Sequence, residues 1–164
     1  MNLDSEIQIH EALRHRNIIR YYDTLQEGNM LYLLLEYAEN GSLFFYINSR
    51  EGLPEPLALR FLYQTAQAVE HLHEMKLIHR DIKPENILVD KSYNAKLCDF
   101  GWSCFLEDDD VRTSVCGTYE YMSPEILGQR YHTNKVDVWC LGILLYELLH
   151  GKLTRHAALL CQDI

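Results

Sequence analysis

The chain has 164 residues, enough for one domain, and its 24 acidic and 15 basic side chains give a formal net charge of −9. This acidic balance argues against nucleic acid and anionic membranes as partners, and no stretch is long and apolar enough to predict a membrane span. Five cysteines without a Cys-x-x-Cys pair, and a start without a signal-peptide pattern, argue against a zinc knuckle or a disulfide framework and predict a cytosolic or nuclear protein.

The first part of the chain predicts one helix followed by two strands. Apolar residues at helical spacing predict a helix over residues 3–13. Residues 18–24 and 30–37 predict strands, joined by a turn at 27–29. The second of these strands is apolar without alternation, so we expect it to be covered on both faces. A short helix is expected to follow, to about residue 49.

The rest of the chain predicts mostly helix. Apolar residues three or four apart predict a helix that starts near Pro56 and reaches about Leu72. Residues 87–89 and 96–98 predict short strands around a turn, and 105–113 predict a polar loop. Residues 136–149 predict a helix that is apolar on nearly every face, which we expect at the centre of the core.

Two motifs carry the chemistry, His-Arg-Asp-Ile-Lys-Pro-Glu-Asn at 79–86 and Asp-Phe-Gly at 99–101. Phosphoryl transfer from ATP spreads negative charge over several oxygens, so it needs metal ions, a fixed cation and a base that orients the acceptor hydroxyl. Asp81 would be the base and Lys83 the cation. Asn86 and Asp99 would supply oxygen ligands for Mg²⁺. The two motifs therefore predict a phosphotransfer site.

These motifs resemble those of the eukaryotic protein kinases, and Lys83 is similar to the lysine of the serine/threonine branch. Three further features are most like the Aurora family: Trp102 directly after Asp-Phe-Gly, Arg-Thr-Ser-Val-Cys-Gly-Thr at 112–118, and Val-Trp-Cys-Leu-Gly at 138–142. The resemblance implies an α+β, protein-kinase-like fold. It implies a partial small lobe at 1–38 (one helix and the last strands), part of a mainly helical large lobe at 39–152, and a divergent tail at 153–164.

The resemblance also implies cofactors and partners. ATP and Mg²⁺ would be the cofactors. Protein substrates with basic residues near the target Ser/Thr, and an activating protein partner, would be the partners. A role in cell division, at the spindle or centrosome, follows from the same resemblance.

Residues around the nucleotide are assigned by the same resemblance. Glu6 matches the carboxylate that pairs with an ATP-holding lysine, and its alternative is a solvent-facing helix position. Leu35 matches the gatekeeper, and Glu36 and Ala38 would offer backbone groups to adenine. Leu88 would form the floor under the adenine ring. For the apolar positions, plain core packing is the alternative.

Further roles concern the substrate and the loops. Glu85 would recognise an arginine in the substrate, and Thr118 would bond near Asp81 and Lys83. Phosphorylation is expected at Ser114 or Thr113, where the phosphate would bind Arg80 and order the loop. The positions expected to be structural are His79, Arg80, Phe100, Gly101, Glu125 and Asp137.

Parts of the kinase pattern are not in this sequence. No Gly-x-Gly-x-x-Gly motif occurs, no Val-Ala-x-Lys precedes Glu6, and the sequence departs from the Aurora pattern after Lys152. The favoured interpretation is a fragment of an active serine/threonine kinase. The alternatives are an inactive truncated product or pseudokinase that acts as a binding module, and a site completed by another subunit. We expect the 164 residues alone to bind MgATP poorly and to transfer little phosphate.

Overall fold

The computed structural model describes residues 3–48, 51–106 and 115–153 of the chain. Within these ranges the architecture is α+β, as predicted. The α-helices and strands, in chain order, are α1 (Leu3–Ala12), β1 (Tyr21–Glu27), β2 (Met30–Leu35), α2 (Leu43–Asn48), α3 (Glu55–Glu74), β3 (Leu77–Ile78), β4 (Ile87–Val89), β5 (Ala95–Leu97), β6 (Cys104–Phe105), α4 (Pro124–Leu127) and α5 (Lys135–His150).

The first two strands form an antiparallel hairpin that turns at Gly28, where φ is +58°. β1 begins at Tyr21, three residues later than predicted, because the chain just before it bonds elsewhere: Ile18 bridges Leu97 in parallel, and the Ile19 amide donates to the Leu97 carbonyl at 2.9 Å. Asn17 adds a side-chain bond to the Ala95 carbonyl at 2.8 Å. Residues 17–19 therefore tie the hairpin region to β5.

The prediction that β2 is covered on both faces is wrong for the described residues. Met30, Tyr32 and Leu34 are 60%, 48% and 54% exposed, and the residues between them are partly buried. The strand is apolar throughout, but it packs through one face only. An apolar run shows that a residue can be buried, and the neighbouring elements decide whether it is.

Helix α3 is the long helix of the second region and packs against α5. Its buried side chains recur three or four residues apart, as the spacing predicted: Ala58, Phe61, Thr65, Ala68, Val69 and Leu72. Pro56 lies within the first turn, where its missing amide donor leaves no intrahelical bond unmade. The core cluster also includes Leu144 and Leu148 of α5.

Helix α5 was predicted to be central on nearly every face, and this is wrong for one side of it. Val138 is 58% exposed and Gly142 is also exposed. The opposite side is buried, with Val136, Asp137 and Cys140 among its inward positions. The helix ends at Gly151, whose φ of +76° is a left-handed conformation that glycine adopts without strain.

Gly52 lets the loop before α3 lie directly against the end of α5. The Leu53 amide donates to the Leu148 carbonyl at 2.7 Å. At Gly52, φ is +95° and a Cβ would lie 2.1 Å from the Leu149 carbonyl oxygen. Only glycine fits this contact. Among the helices in the described ranges, none is long and apolar enough to cross a membrane.

Candidate active site

The predicted catalytic motif lies in the loop between β3 and β4, and its backbone is held by one buried carboxylate. Asp137 of α5 is fully buried and accepts hydrogen bonds from the backbone amides of His79 at 3.0 Å and Arg80 at 2.8 Å. The imidazole Nε2 of His73 donates to the same carboxylate at 2.8 Å. Arg80 has a φ of +69°, which costs free energy in a residue with a side chain. The bonds to Asp137 stabilise this conformation.

The loop presents Asp81 in a cluster of polar side chains. The Asp81 Oδ1 accepts a hydrogen bond from the Thr118 hydroxyl at 2.8 Å, and its Oδ2 accepts one from Asn86 Nδ2 at 2.9 Å. Lys83 Nζ lies 3.0 Å from Asp81 Oδ2 and donates to the Thr118 hydroxyl at 2.7 Å. Asp81 is only 3% exposed. The four predicted residues therefore form one hydrogen-bonded group with the carboxylate at its centre.

Gly117 allows the chain that carries Thr118 to come this close. Its φ is +95°, and a Cβ at this position would lie 2.5 Å from the Arg80 carbonyl oxygen and 3.7 Å from Asp81 Oδ1. No side chain fits in that space. The close approach of the two backbones is what places the Thr118 hydroxyl beside Asp81.

A backbone hydrogen bond links Asn86 to the segment that carries Asp99. The Asn86 carbonyl accepts the Cys98 amide at 2.9 Å, so Asp99 follows directly on the residue that bonds Asn86. Both hydrogen bonds from Asn86 Nδ2 go to Asp81, to its carboxylate and its carbonyl. The Asn86 Oδ1 therefore faces away from Asp81. Asp99 is exposed, with a φ of +63°.

This donor set fits Mg²⁺, which prefers oxygen ligands and keeps several waters or phosphate oxygens in its shell. Asn86 Oδ1 and the Asp99 carboxylate are the residues that would hold it. Within the described ranges, no group of three or more His, Cys, Asp or Glu side chains could hold a metal ion.

A column of rings connects helix α1 with the catalytic loop. Phe100, 1% exposed, lies with its ring centroid 4.8 Å from that of His10 and 5.3 Å from that of His79. His10 Nε2 donates to the Ile19 carbonyl at 2.7 Å. Burial lowers the pKa of both histidines, so both are neutral near pH 7. A neutral His79 donates from Nε2 to the Cys98 carbonyl at 3.1 Å and accepts the Asp81 amide at Nδ1.

Glu6 of α1 lies near Asp99. Burial, and then the negative charge of Asp99, raise the pKa of the Glu6 carboxyl. A raised pKa is the opposite of what an ion pair with a lysine would produce. Two carboxylates on facing elements form a place where a cation would be stabilised.

Residues 1–158 match the family model described as protein kinase domain. The chain belongs to the protein kinase family. The predicted kinase-like fold and the predicted family are thereby confirmed.

The relatives include several Aurora kinases. The chain is 42% identical to an Aurora kinase of Eremothecium gossypii over 146 residues, which are 89% of this chain and 40% of that protein. It is 43% identical to an Aurora kinase of Schizosaccharomyces pombe, over 89% of this chain and 41% of that protein. It is 39% identical to Aurora kinase C of Mus musculus, over 92% of this chain and 54% of that protein. The chain thus spans about half the length of these relatives or less.

The residues predicted to surround the nucleotide lie where β2 ends and at β4. The Glu36 amide donates to the Arg20 carbonyl at 2.8 Å, and the Glu36 side chain bonds Lys96 Nζ at 2.6 Å. Ala38 is buried. Leu88 is partly exposed between the fully buried Ile87 and Val89, so it faces the opposite side of β4 from the core. In a kinase this is the side on which an adenine ring could lie, and the role of each residue stays a prediction.

The loop residues of the kinase are only partly described. Thr113, Ser114 and the acidic run 107–110 lie outside the described residues. Arg80, predicted to bind a loop phosphate, donates from Nε to the Trp102 carbonyl at 2.7 Å. Gly101 donates its amide to Asp99 Oδ1 at 3.2 Å. Glu125 lies in the first turn of α4, partly buried.

Sequence reasoning missed Glu147 of α5. Burial, and then the negative charge of Glu85, raise the pKa of Glu147 to about 7. Tyr121 donates its hydroxyl hydrogen to Glu147. Glu85, which is exposed and was predicted to bind a substrate arginine, therefore has a second carboxylate nearby. Glu85 and Glu147 are 62 positions apart in the sequence. Spacing along a helix does not predict a partner on another element, so the pair could not be predicted.

Proposed function

We propose that this chain supplies the catalytic loop and the metal-binding residues of a serine/threonine protein kinase. The observation that carries the proposal is the Asp81 carboxylate, held at 2.8 to 3.0 Å by Thr118, Asn86 and Lys83. Asn86, which bonds this carboxylate, is also bonded to the residue that precedes Asp99, and this arrangement supports phosphoryl transfer. A role in cell division is part of the proposal, supported by the likeness to Aurora kinases.

In the proposed reaction, the acceptor hydroxyl of a serine or threonine donates a hydrogen bond to Asp81. The carboxylate orients this oxygen for attack on the γ-phosphorus of ATP and accepts its proton, while the bond from that phosphorus to the bridging oxygen breaks and ADP leaves. Lys83 offsets the negative charge of the phosphoryl group near the attacking oxygen. ATP and Mg²⁺, when bound, supply the phosphoryl group and the positive charge that stabilises it. Asn86 and Asp99 hold the metal, and the buried amides at Asp137 keep the loop from moving during the transfer.

The proposed substrates carry a basic residue near the target hydroxyl. Glu85 lies close enough to Glu147 for its negative charge to raise the pKa of the Glu147 carboxyl. A guanidinium placed between them would relieve that repulsion and bond both carboxylates. The acidic pair therefore favours an arginine-containing peptide over a neutral one.

An inactive, partner-binding chain is the second candidate. Its support is the exposed apolar side of β2, with Met30, Tyr32 and Leu34 offering a surface that a partner would cover. The first candidate requires a cation beside Glu6 when ATP is bound. The second requires none.

A chimera separates these two candidates. Residues 3–152 of this chain would replace the matching residues of the Schizosaccharomyces pombe Aurora kinase, which supplies the remaining parts of a kinase domain. We expect the chimera to phosphorylate a serine peptide that contains arginine, and Asp81→Asn to lower the rate by at least about 100-fold.

The matched control is Asp23→Asn, an exposed aspartate of β1 outside the site. It should leave the rate unchanged. A folded chimera that binds ATP but transfers no phosphate would reject the catalytic proposal and favour the binding module. Transfer that Asp81→Asn leaves intact would reject the assignment of the base.

A further inference from the structure

A cleft whose polar side chains are mainly basic lies between the loop after α1, the first strand and β5. It has a volume of about 390 Å³, and none of Asp81, Lys83, Asn86, Asp99 or Thr118 lines it. Its polar walls are formed by Arg14, His15, Arg16, Arg20, Glu36 and Lys96.

The charge of this cleft is opposite to that of the whole chain. Four of the 15 basic side chains of the sequence line it, against one of the 24 acidic ones. Lys96 is paired with that one carboxylate, Glu36, at 2.6 Å. The remaining positive charge of the lining therefore comes from the three arginines. A chain of net charge −9 that gathers three arginines at one cleft creates a local attraction for anions.

The three guanidinium groups are exposed and only partly engaged. Arg14 donates from Nη1 to the Leu13 carbonyl at 2.9 Å, and Arg16 donates from Nη2 to Gln67 at 2.9 Å. Arg20 lies over the ring of Tyr22, with 5.5 Å between its Cζ and the ring centroid. A guanidinium carries five donor hydrogens, so these contacts leave several on each group for a ligand.

The backbone that carries these arginines is held firmly. Residues 17–19 are bonded to β5 through the Leu97 amide, which donates to the Asn17 carbonyl at 2.8 Å, and the Ile19 amide, which donates to the Leu97 carbonyl at 2.9 Å. Asn17 and Ile18 are 2% exposed. Little conformational entropy of the backbone would be lost when a ligand binds between side chains on such a scaffold.

We propose that this cleft binds a phosphorylated side chain of a protein partner. A phosphate monoester carries nearly two charges and three acceptor oxygens, which match three planar guanidinium forks better than the single charge of a carboxylate does. Among the apolar residues of the lining, Tyr22 is exposed and offers contact area to the peptide around the phosphate. Free phosphate would leave that apolar area uncovered.

The test measures the binding of a short fluorescent phosphoserine peptide, otherwise uncharged, to the full chain by fluorescence anisotropy. Its unphosphorylated twin and inorganic phosphate are the comparison ligands. We expect the phosphopeptide to bind more tightly than either, and added salt to weaken its binding. Equal affinity for the phosphorylated and unphosphorylated peptides would overturn the proposal.

Two triple variants locate the site. Arg14→Gln, Arg16→Gln and Arg20→Gln together should weaken the phosphopeptide at least about tenfold, which corresponds to about 1.4 kcal/mol. The control removes the same charge from exposed residues outside the cleft: Lys91→Gln, Arg130→Gln and Lys152→Gln. It should keep the affinity of the unmodified chain. Equal weakening in both triple variants would show a general charge effect and would reject the site.

A variant that is expected to strengthen binding shows whether weaker binding of the arginine variant could come from misfolding alone. Glu36→Gln removes the only acidic side chain of the cleft and releases Lys96 from its ion pair. It should tighten the phosphopeptide, a gain that loss of structure cannot produce. No gain in this variant would overturn the proposal, even if the triple variant failed to fold. Binding to vesicles with phosphoinositide headgroups, without binding to the phosphopeptide, would also reject it, in favour of a membrane ligand.

Discussion

At the scale of single residues, the site depends on positions where the side chain itself does no chemistry. Gly117 is one of them. A Cβ at this position would lie 2.5 Å from the Arg80 carbonyl oxygen, so only a glycine lets its backbone come this close to that of Arg80. Thr118 reaches Asp81 only through this contact. The sequence predicted Thr118 near Asp81 and Lys83 through the family resemblance, but it gave no reason why the preceding residue has to be glycine.

We expect Gly117→Ala to push the Thr118 segment away from the Arg80 carbonyl. In the active chimera the rate should fall at least about tenfold, because a small displacement of positioned groups is costly in catalysis. Gly28→Ala is the matched control, since Gly28 also has a positive φ but nothing within 4 Å of its Cβ position. An equal loss of activity in both variants would attribute the effect to backbone strain alone.

Glu147 gives a prediction about pH. In the unfolded chain its carboxyl titrates near the ordinary 4.5, and in the fold its pKa is raised to about 7 by burial and by Glu85. Folding therefore favours the protonated form, and the stability that this group contributes is lost as pH rises through about 7. Chemical denaturation at a series of pH values should show this loss.

The control is Glu147→Gln, which keeps the shape and cannot ionise. The difference in unfolding free energy between the unmodified chain and this variant should change between about pH 4.5 and about pH 7, in favour of the variant at the higher pH. A pH-independent difference would contradict the shifted pKa. Histidines that are buried in the neutral form affect both proteins alike and cancel in the comparison.

At the scale of elements, the catalytic loop is held by a helix far away in sequence. Asp137 belongs to α5, and its partners His79 and Arg80 precede it by 58 and 57 positions. Spacing predicted the helix, and family resemblance predicted the role of Asp137. The exposed side of α5 and of β2 could not be predicted, because an apolar pattern does not identify which neighbouring element covers it.

Asp137→Asn should destabilise the fold by about 2–3 kcal/mol. One carboxylate oxygen would be replaced by an NH₂ group, which cannot accept the hydrogen bonds that the loop amides and the His73 imidazole now donate. Chemical denaturation measures the change. Asp23→Asn, at an exposed position of β1, is the control and should stay within about 0.5 kcal/mol. A loss no larger than that of the control would show that Asp137 does not hold the loop.

At the scale of the whole molecule, the fold gathers the residues proposed as base, cation and first metal ligand around Asp81. The 164 residues carry these motifs but no Gly-x-Gly-x-x-Gly motif. The motifs could be read directly because they are short and contiguous. The basic cleft could not, since Arg14 and Lys96 are 82 positions apart and meet only through the fold.

For the 164 residues alone we expect weak MgATP binding and negligible phosphate transfer. The Gly-x-Gly-x-x-Gly motif, which covers the phosphates of ATP in protein kinases, does not occur in these 164 residues. Calorimetry with MgATP and transfer of radiolabelled phosphate to an arginine-containing serine peptide would measure both. Robust transfer by the purified chain, abolished by Asp81→Ala, would contradict this expectation.

The tie between residues 17–19 and β5 has a mechanical consequence. It joins the region of α1 and the hairpin to the helical region through a short row of buried hydrogen bonds, which lie along one line. Any motion that opens the space between these two regions has to turn about that line, which acts as a pivot. The amides of Ile19 and Leu97 should then exchange with deuterium as slowly as the core, however widely the two regions swing.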